Sequence, residues 1–269
     1  MESDPNFPVG VFDSGVGGLS ILKALRAELP QEDFVYFADS GHAPYGERDP
    51  EHVIERSRSI TQQLLAQHRI KALVVACNTA TAAAIHVLRA EFPALPIVGV
   101  EPALKPAVAL SQTRHIGVMA TRGTLGSAKF QALLASLAPQ AEFTLQACDG
   151  LADAIEHHET SKIAALCEAY TTAIGPFGLK AGEKDTVVLG CTHYAFADSV
   201  LRDLLGTGVQ VIETGLPVAQ HTRRVLANAQ LLRAGTPGQT LGLSTGNTAE
   251  LRLAMARWLA LQAEVRPAG

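Results

Sequence analysis

The chain has 269 residues, with 22 Lys and Arg against 26 Asp and Glu for a net charge of −4, and is 47% hydrophobic, 18% charged and 5% aromatic. That much apolar material supports a core and excludes intrinsic disorder, at a length suited to one large α/β domain or two smaller ones. The longest apolar runs, about six residues, fall far short of the roughly 18–20 needed to span a membrane, and the mild acidity argues against a nucleic-acid reader, which needs a basic face.

The N-terminal stretch MESDPNFPVG has no basic start followed by an apolar run, so no secretion signal is expected. Strands are expected at 9–12 and 34–38, with Leu19, Leu22, Leu25 and Leu29 recurring at helical spacing between them. A looser helical pattern (Val53, Ile60, Leu64) leads to a strand at 72–76, and Ile85, Leu88 and Phe92 follow it. Further strands are expected at 97–100, 116–120, 143–147, 186–190 and 209–212. Several are apolar on both faces, as in parallel sheets covered by helices on each side. No linker or low-complexity tract interrupts the alternation.

The pattern repeats. Val74-Val75-Ala76-Cys77-Asn78-Thr79 is echoed by Val187-Val188-Leu189-Gly190-Cys191-Thr192-His193. Two strand-end turns precede each cysteine, at Asp13 and Asp39 in the first half and at Thr121 and Asp149 in the second. The intervals are 26 and 38 residues in the first half, 28 and 42 in the second. Any two α/β domains can share such spacing; the matched cysteines favour two related units. The expected fold is therefore two similar α/β domains with mostly parallel sheets, pseudo-twofold related, with an active site in the cleft between them. The first covers 1–98 and 214–269, the second 99–213.

Ligands of open α/β sheets bind beyond the carboxyl ends of the strands. Strand-to-helix turns there present unpaired N–H groups and a positive dipole end, suited to carboxylate or phosphate. The turns at 14–18, 77–79, 121–123 and 191–193 are such places. The run Asp13-Ser14-Gly15-Val16-Gly17-Gly18 is not a dinucleotide fingerprint, because Ser20 stands where the third glycine belongs and Asp13 would repel pyrophosphate. No P-loop, metal-ligand spacing or pyridoxal-phosphate lysine context is present, so neither cofactor nor metal is expected.

The four cysteines form no CxxC pair, as expected for free thiols in a reducing cytoplasm. Cys148 and Cys167 are expected to be packing residues. Cys77 and Cys191 each follow a buried strand and open a helix, a position that favours thiolate. Either alone is as readily structural as chemical; the pair favours chemistry. His193 can relay a proton for Cys191, and Asp13 can do the same for Cys77. Asp39 and Glu156 are weaker candidates, since acids near helix starts are often caps.

Taken together, VGVFDSGVGGLSIL, YFADSGHAPYG, VVACNTATA, GVEPALKPA, IGVMAT and LGCTHY resemble glutamate racemases, from about Val9 to about Ile212. The resemblance implies cofactor-independent, two-base racemisation supplying D-glutamate for peptidoglycan, with Cys77 and Cys191 as the bases, Cys77 on the D-substrate side and Cys191 on the L side. It implies that Asp13 and Ser14 bind the ammonium side, that Tyr45 and Gly46 line the pocket, and that Asn78, Thr79, Thr121 and Thr192 hold carboxylates. His193 assists Cys191, and Glu156 matches an acid common in this region. Asp149, Ala195 and Glu213 depart from the family pattern without touching the proton-transfer pair. Members activated by a cell-wall precursor tend to carry a longer leader than the about eight residues before the first strand here, so such activation is not expected. The implied partner is the small-molecule substrate, with no nucleic acid and no membrane; oligomer geometry stays open, a homodimer being one arrangement. Aspartate as substrate is the near alternative, and a protein-binding role restraining DNA gyrase is an alternative of another class.

Overall fold

The computed structural model describes residues 4–268, so the outermost bounds expected for the first domain, 1–3 and 269, lie outside it. The chain divides into two compact units, Met1–Val100 with Gly215–Gly269, and Glu101–Thr214. In chain order the first unit builds β1 (Val9–Asp13), α1 (Leu19–Glu28), β2 (Phe34–Ala38), α2 (Pro50–His68), β3 (Ala72–Val75), α3 (Asn78–Glu91) and β4 (Ile97–Gly99). The second builds α4 (Leu104–Leu110), β5 (His115–Ala120), α5 (Arg122–Gly126), α6 (Ala128–Leu137), β6 (Glu142–Ala147), α7 (Leu151–Glu156), α8 (Thr160–Ile174), β7 (Thr186–Gly190), α9 (Asp198–Leu205) and β8 (Gln210–Ile212). The chain then returns to the first unit with α10 (Gly215–Asn228), β9 (Thr240–Ser244), α11 (Thr248–Leu259) and β10 (Glu264–Pro267).

All strand pairings within the two sheets are parallel. The first sheet runs β10-β9-β2-β1-β3-β4 and the second β6-β5-β7-β8. The second order matches the β2-β1-β3-β4 part of the first, element for element. In each unit the opening strand lies between its successor on one side and the third strand on the other. Chain direction across the sheet reverses there, which opens a crevice at the carboxyl ends of β1/β3 and of β5/β7. The expected cysteines stand at these two switch points.

The central strands β1, β2, β3 and β7 are buried at every position, in keeping with their continuous apolar runs. The edge strands β6 and β8 are only partly covered. Helix boundaries follow local chemistry. α2 starts at Asp49, whose carboxylate accepts from the Glu51 N–H at 2.8 Å, with Pro50 in the first turn, where its missing N–H costs nothing. It ends at Arg69 in the left-handed conformation. Along α1, Leu19, Ile21, Leu22 and Leu25 form the buried stripe. Among the described residues no helix is long and apolar enough to cross a membrane.

The C-terminal return is tied in by a buried charge pair. Lys71 Nζ, at the foot of β3, donates to Glu32 and to the Pro5 carbonyl, and the other Glu32 oxygen accepts the Arg233 N–H at 2.8 Å. Burial lowers the Lys71 pKa against the opposing pull of Glu32. Lys71→Met, which strands a buried carboxylate, is expected to destabilise the fold by about 3–5 kcal/mol, and adding Glu32→Gln to recover a good part of that. Urea unfolding of the single and double variants checks this; a double variant no more stable than Lys71→Met would refute it.

Candidate active site

In the first unit the β1/β3 register pairs Phe12 with Val75, which brings Ser14 beside Cys77. Cys77 Sγ lies 3.9 Å from Ser14 Oγ. Cys77 is buried and is the N-cap of α3, where its sulfur accepts from the Ala80 N–H at 3.4 Å. A donor and a positive helix end at the sulfur both favour thiolate. Asp13, fully buried, accepts through Oδ2 from the Gly15 and Gly18 N–H groups at 3.1 and 2.9 Å. This turn needs glycine at Gly18 for space, since a Cβ there would come within 2.6 Å of Asp13 Cβ and 2.9 Å of the Tyr36 hydroxyl.

Next to Cys77, both polar atoms of the Asn78 side chain are buried and have no hydrogen-bond partner. An amide left so pays its full desolvation cost, which a hydrogen-bonding ligand would relieve. Thr79 is buried one residue further on. Tyr45 and Gly46 lie in the short turn Tyr45–Glu47, which packs against α3.

In the second unit the register Ala120↔Gly190 brings Thr121 and Cys191 together at neighbouring strand ends. Thr121 caps α5, its hydroxyl accepting from the Thr124 N–H at 3.2 Å. Cys191 does not open an α-helix as expected. The chain passes into a 3-10 turn, Thr192–Ala197, and the thiol makes no capping bond. Instead Cys191 Sγ lies 3.8 Å from His193 Nδ1, and His193 Nε2 lies 2.8 Å from Glu156 Oε2. Thr192 and His193 are buried. Burial disfavours the imidazolium, but the contacts with Cys191 and Glu156 outweigh it and hold the His193 pKa well above its ordinary value. The two thiols thus have different supports, a helix N-terminus for Cys77 and a cation backed by a carboxylate for Cys191.

The remaining cysteines are packing groups. Burial pushes the Cys148 thiol far above the usual range and the Cys167 thiol up to about 11. Cys148→Ser and Cys167→Ser are expected to leave turnover within about twofold, since a protonated buried thiol is inert. Their cost is stability, about 1–3 kcal/mol for a hydroxyl placed in an apolar cluster. Steady-state rates beside thermal melts check this, and a large loss of turnover at unchanged stability would refute it.

Sequence reasoning missed the surroundings of Asp39, which is fully buried and is not a side-chain cap. Its carboxylate accepts from Arg56 Nε and a terminal guanidinium nitrogen at 2.9 and 2.8 Å, from the Tyr45 hydroxyl at 2.5 Å and from Thr245 Oγ1 at 2.9 Å. Burial pushes this carboxyl up, but the bonds from Arg56, Tyr45 and Thr245 hold it below its ordinary value. Arg56 is 17 residues away and Thr245 is 206, so no local spacing signals the cluster.

Residues 19–222 match the family model of Asp/Glu/hydantoin racemases. A glutamate racemase of Ralstonia pickettii is 46% identical over 259 residues, which cover 96% of this chain and 90% of that one. The solved structure of glutamate racemase isoform RacE1 from Bacillus anthracis superposes with a TM-score of 0.87 at 29% identity, covering 98% of both chains. That of Escherichia coli glutamate racemase, solved with L-glutamate and the activator UDP-MurNAc-ala, gives 0.81 at 28% identity over 97% of both. With the family model covering most of the chain and a relative this similar over nearly its full length, the protein belongs to the Asp/Glu/hydantoin racemase family.

Proposed function

We propose that the protein interconverts L- and D-glutamate without a cofactor, using Cys77 and Cys191 as the two bases. The observation that carries this reading is the repeat. Two units with the same strand order each bear a buried thiol at the switch point of the sheet, Cys77 in contact with the Ala80 N–H and Cys191 with His193. Inverting one carbon by proton transfer on opposite faces requires a base on one and an acid on the other, roles that a pair of thiols can fill.

From L-glutamate the Cys191 thiolate takes the Cα proton and becomes a thiol, the electron pair passing into the α-carboxylate. The Cys77 thiol returns a proton to the other face and is left as thiolate. The reverse reaction exchanges the roles. An amino-acid Cα–H is far less acidic than a thiol, so hydrogen bonds to the developing dianionic carboxylate must lower the barrier. Asn78, whose amide is unsatisfied, and Thr79, Thr121 and Thr192 are assigned to the carboxylates. Asp13 and Ser14 are assigned to the ammonium side, and Tyr45 and Gly46 to the pocket wall. His193 is assigned to Cys191 as its proton partner, with Glu156 behind it.

Glutamate is favoured over aspartate by the high identity to a glutamate racemase and by the likeness to an enzyme solved with L-glutamate. D-Glutamate made in the cytoplasm for peptidoglycan is the corresponding physiological role. The test is circular dichroism of the purified protein with L-glutamate, L-aspartate and L-glutamine and no added cofactor. Loss of signal with glutamate alone is expected. Loss with aspartate in preference would reassign the substrate, and loss with none would refute the reading.

A further inference from the structure

The turn assigned to the pocket wall is held from behind by groups that the proposed reaction does not use. The Tyr45 hydroxyl reaches back to Asp39, whose two oxygens are also gripped by Arg56 from α2 and by Thr245 from the loop after β9. The Thr245 hydroxyl does double duty, since it also accepts the Gly41 N–H at 3.0 Å. Close approach of the two loops is built into their sequences: a Cβ at Gly41 would lie 2.8 Å from the Thr245 carbonyl oxygen. Thr245 lies beyond the residues matched by the family model, 19–222.

On its other side the Tyr45–Glu47 turn packs on α3, the helix that Cys77 caps, and Tyr45 and Cys77 share one apolar cluster. A shift of Asp39 therefore moves the turn beside the thiol. Arg56 supplies two parallel bonds in a fixed fork and compensates the buried charge, so the carboxylate has one stable orientation.

We propose that Arg56 and Thr245 are positioning residues for substrate binding, acting through the Asp39 carboxylate to fix the Tyr45 turn against α3 beside Cys77. This rests on the reading of the protein as a glutamate racemase, and the experiment separates the two. Wild-type racemisation of glutamate is measured first, and its absence sinks the functional reading. In that event the clamp is judged on Cys77 alone, by its rate of alkylation with iodoacetamide followed by peptide mass spectrometry.

Thr245→Val is expected to raise KM for glutamate roughly three- to tenfold, the size of one lost hydrogen bond, with kcat within about twofold. Cys77 alkylation should become faster as the turn loosens. Thr245→Ser, which keeps the hydroxyl, should restore both. In a Tyr45→Phe background, where the link through the phenol is cut, adding Thr245→Val should change KM by less than about twofold. Should Thr245→Val fail to fold, Arg56→Lys carries the same expectations, since an ammonium cannot reproduce the fork. A purely structural role would lower the melting temperature and leave KM alone. In an enzyme that racemises glutamate, an unchanged KM, additive effects with Tyr45→Phe, or no rescue by Thr245→Ser overturns the proposal. In one that does not, an unchanged alkylation rate overturns it.

Discussion

Glu156→Gln is expected to lower kcat/KM for glutamate on the order of 10²-fold, and His193→Ala by at least as much, the usual contribution of a positioned proton-transfer group. The loss falls equally on L→D and D→L. Enantiomers have equal free energies, so the equilibrium constant is unity and kcat/KM in the two directions cannot diverge. One-sidedness must be sought in a partial reaction. With a β-substituted glutamate carrying a leaving group, one base removes the Cα proton and the leaving group departs, without help from the second thiol. His193→Ala should cripple this elimination for the enantiomer handled by Cys191, assigned as L, and spare the D enantiomer.

The pH profile carries a sign as well. The pKa of His193 stands well above its ordinary value because its contacts with Cys191 and Glu156 outweigh burial. Such a raised group contributes stability to the folded site that is fully present below the ordinary histidine pKa and is lost as pH rises through the folded value. Glu156→Gln removes one of the two contacts and moves that loss to lower pH. The alkaline limb of kcat/KM should therefore shift down in Glu156→Gln. Equal elimination from both enantiomers by His193→Ala, or an unmoved alkaline limb in Glu156→Gln, would detach the pair from Cys191.

What could be read from the sequence depended on how local its physical cause was. The central strands were visible because burial on both faces demands unbroken apolar runs, as in Val187-Val188-Leu189. The echo of the two cysteines was visible because it rests on a strand and the turn that follows it. β9 and β10 were not foreseen. Thr240-Leu241-Gly242-Leu243-Ser244 has only two large apolar residues between polar ends and is partly covered at its first two positions, and in Glu264-Val265-Arg266-Pro267 only Val265 is buried. β10 lies at the sheet edge, where charged residues and proline are tolerated. Pairings across long separations were invisible to spacing. Glu156 meets His193 across 37 residues, and Thr245 meets Asp39 across 206. Glu156 and Asp39 both read as acids near helix starts, and their partners lie too far along the chain for spacing to show them.

The largest effect is expected at the two thiols. Cys77→Ser and Cys191→Ser should each abolish detectable racemisation, a loss on the order of 10³-fold or more. Serine keeps the shape, but its hydroxyl has a pKa far above the thiol value of about 8.5, so almost none is available as base near neutral pH. The supports differ, which makes the two failures distinguishable. In Cys77→Ser the helix N-terminus behind residue 77 has no anion to stabilise, while Cys191 keeps His193 and Glu156. In Cys191→Ser the reverse holds. Each variant should therefore retain one half of the chemistry, seen as elimination from a β-substituted glutamate of one configuration. Cys77→Ser should keep the L-directed reaction and Cys191→Ser the D-directed one. Glutamate should still bind, because Asn78 and the threonine-bearing turns are untouched. Assays of both variants with both enantiomers decide the matter. Near-normal racemisation by either would end the two-base assignment, and a shared enantiomer preference would show that the thiols do not serve opposite faces of the same carbon.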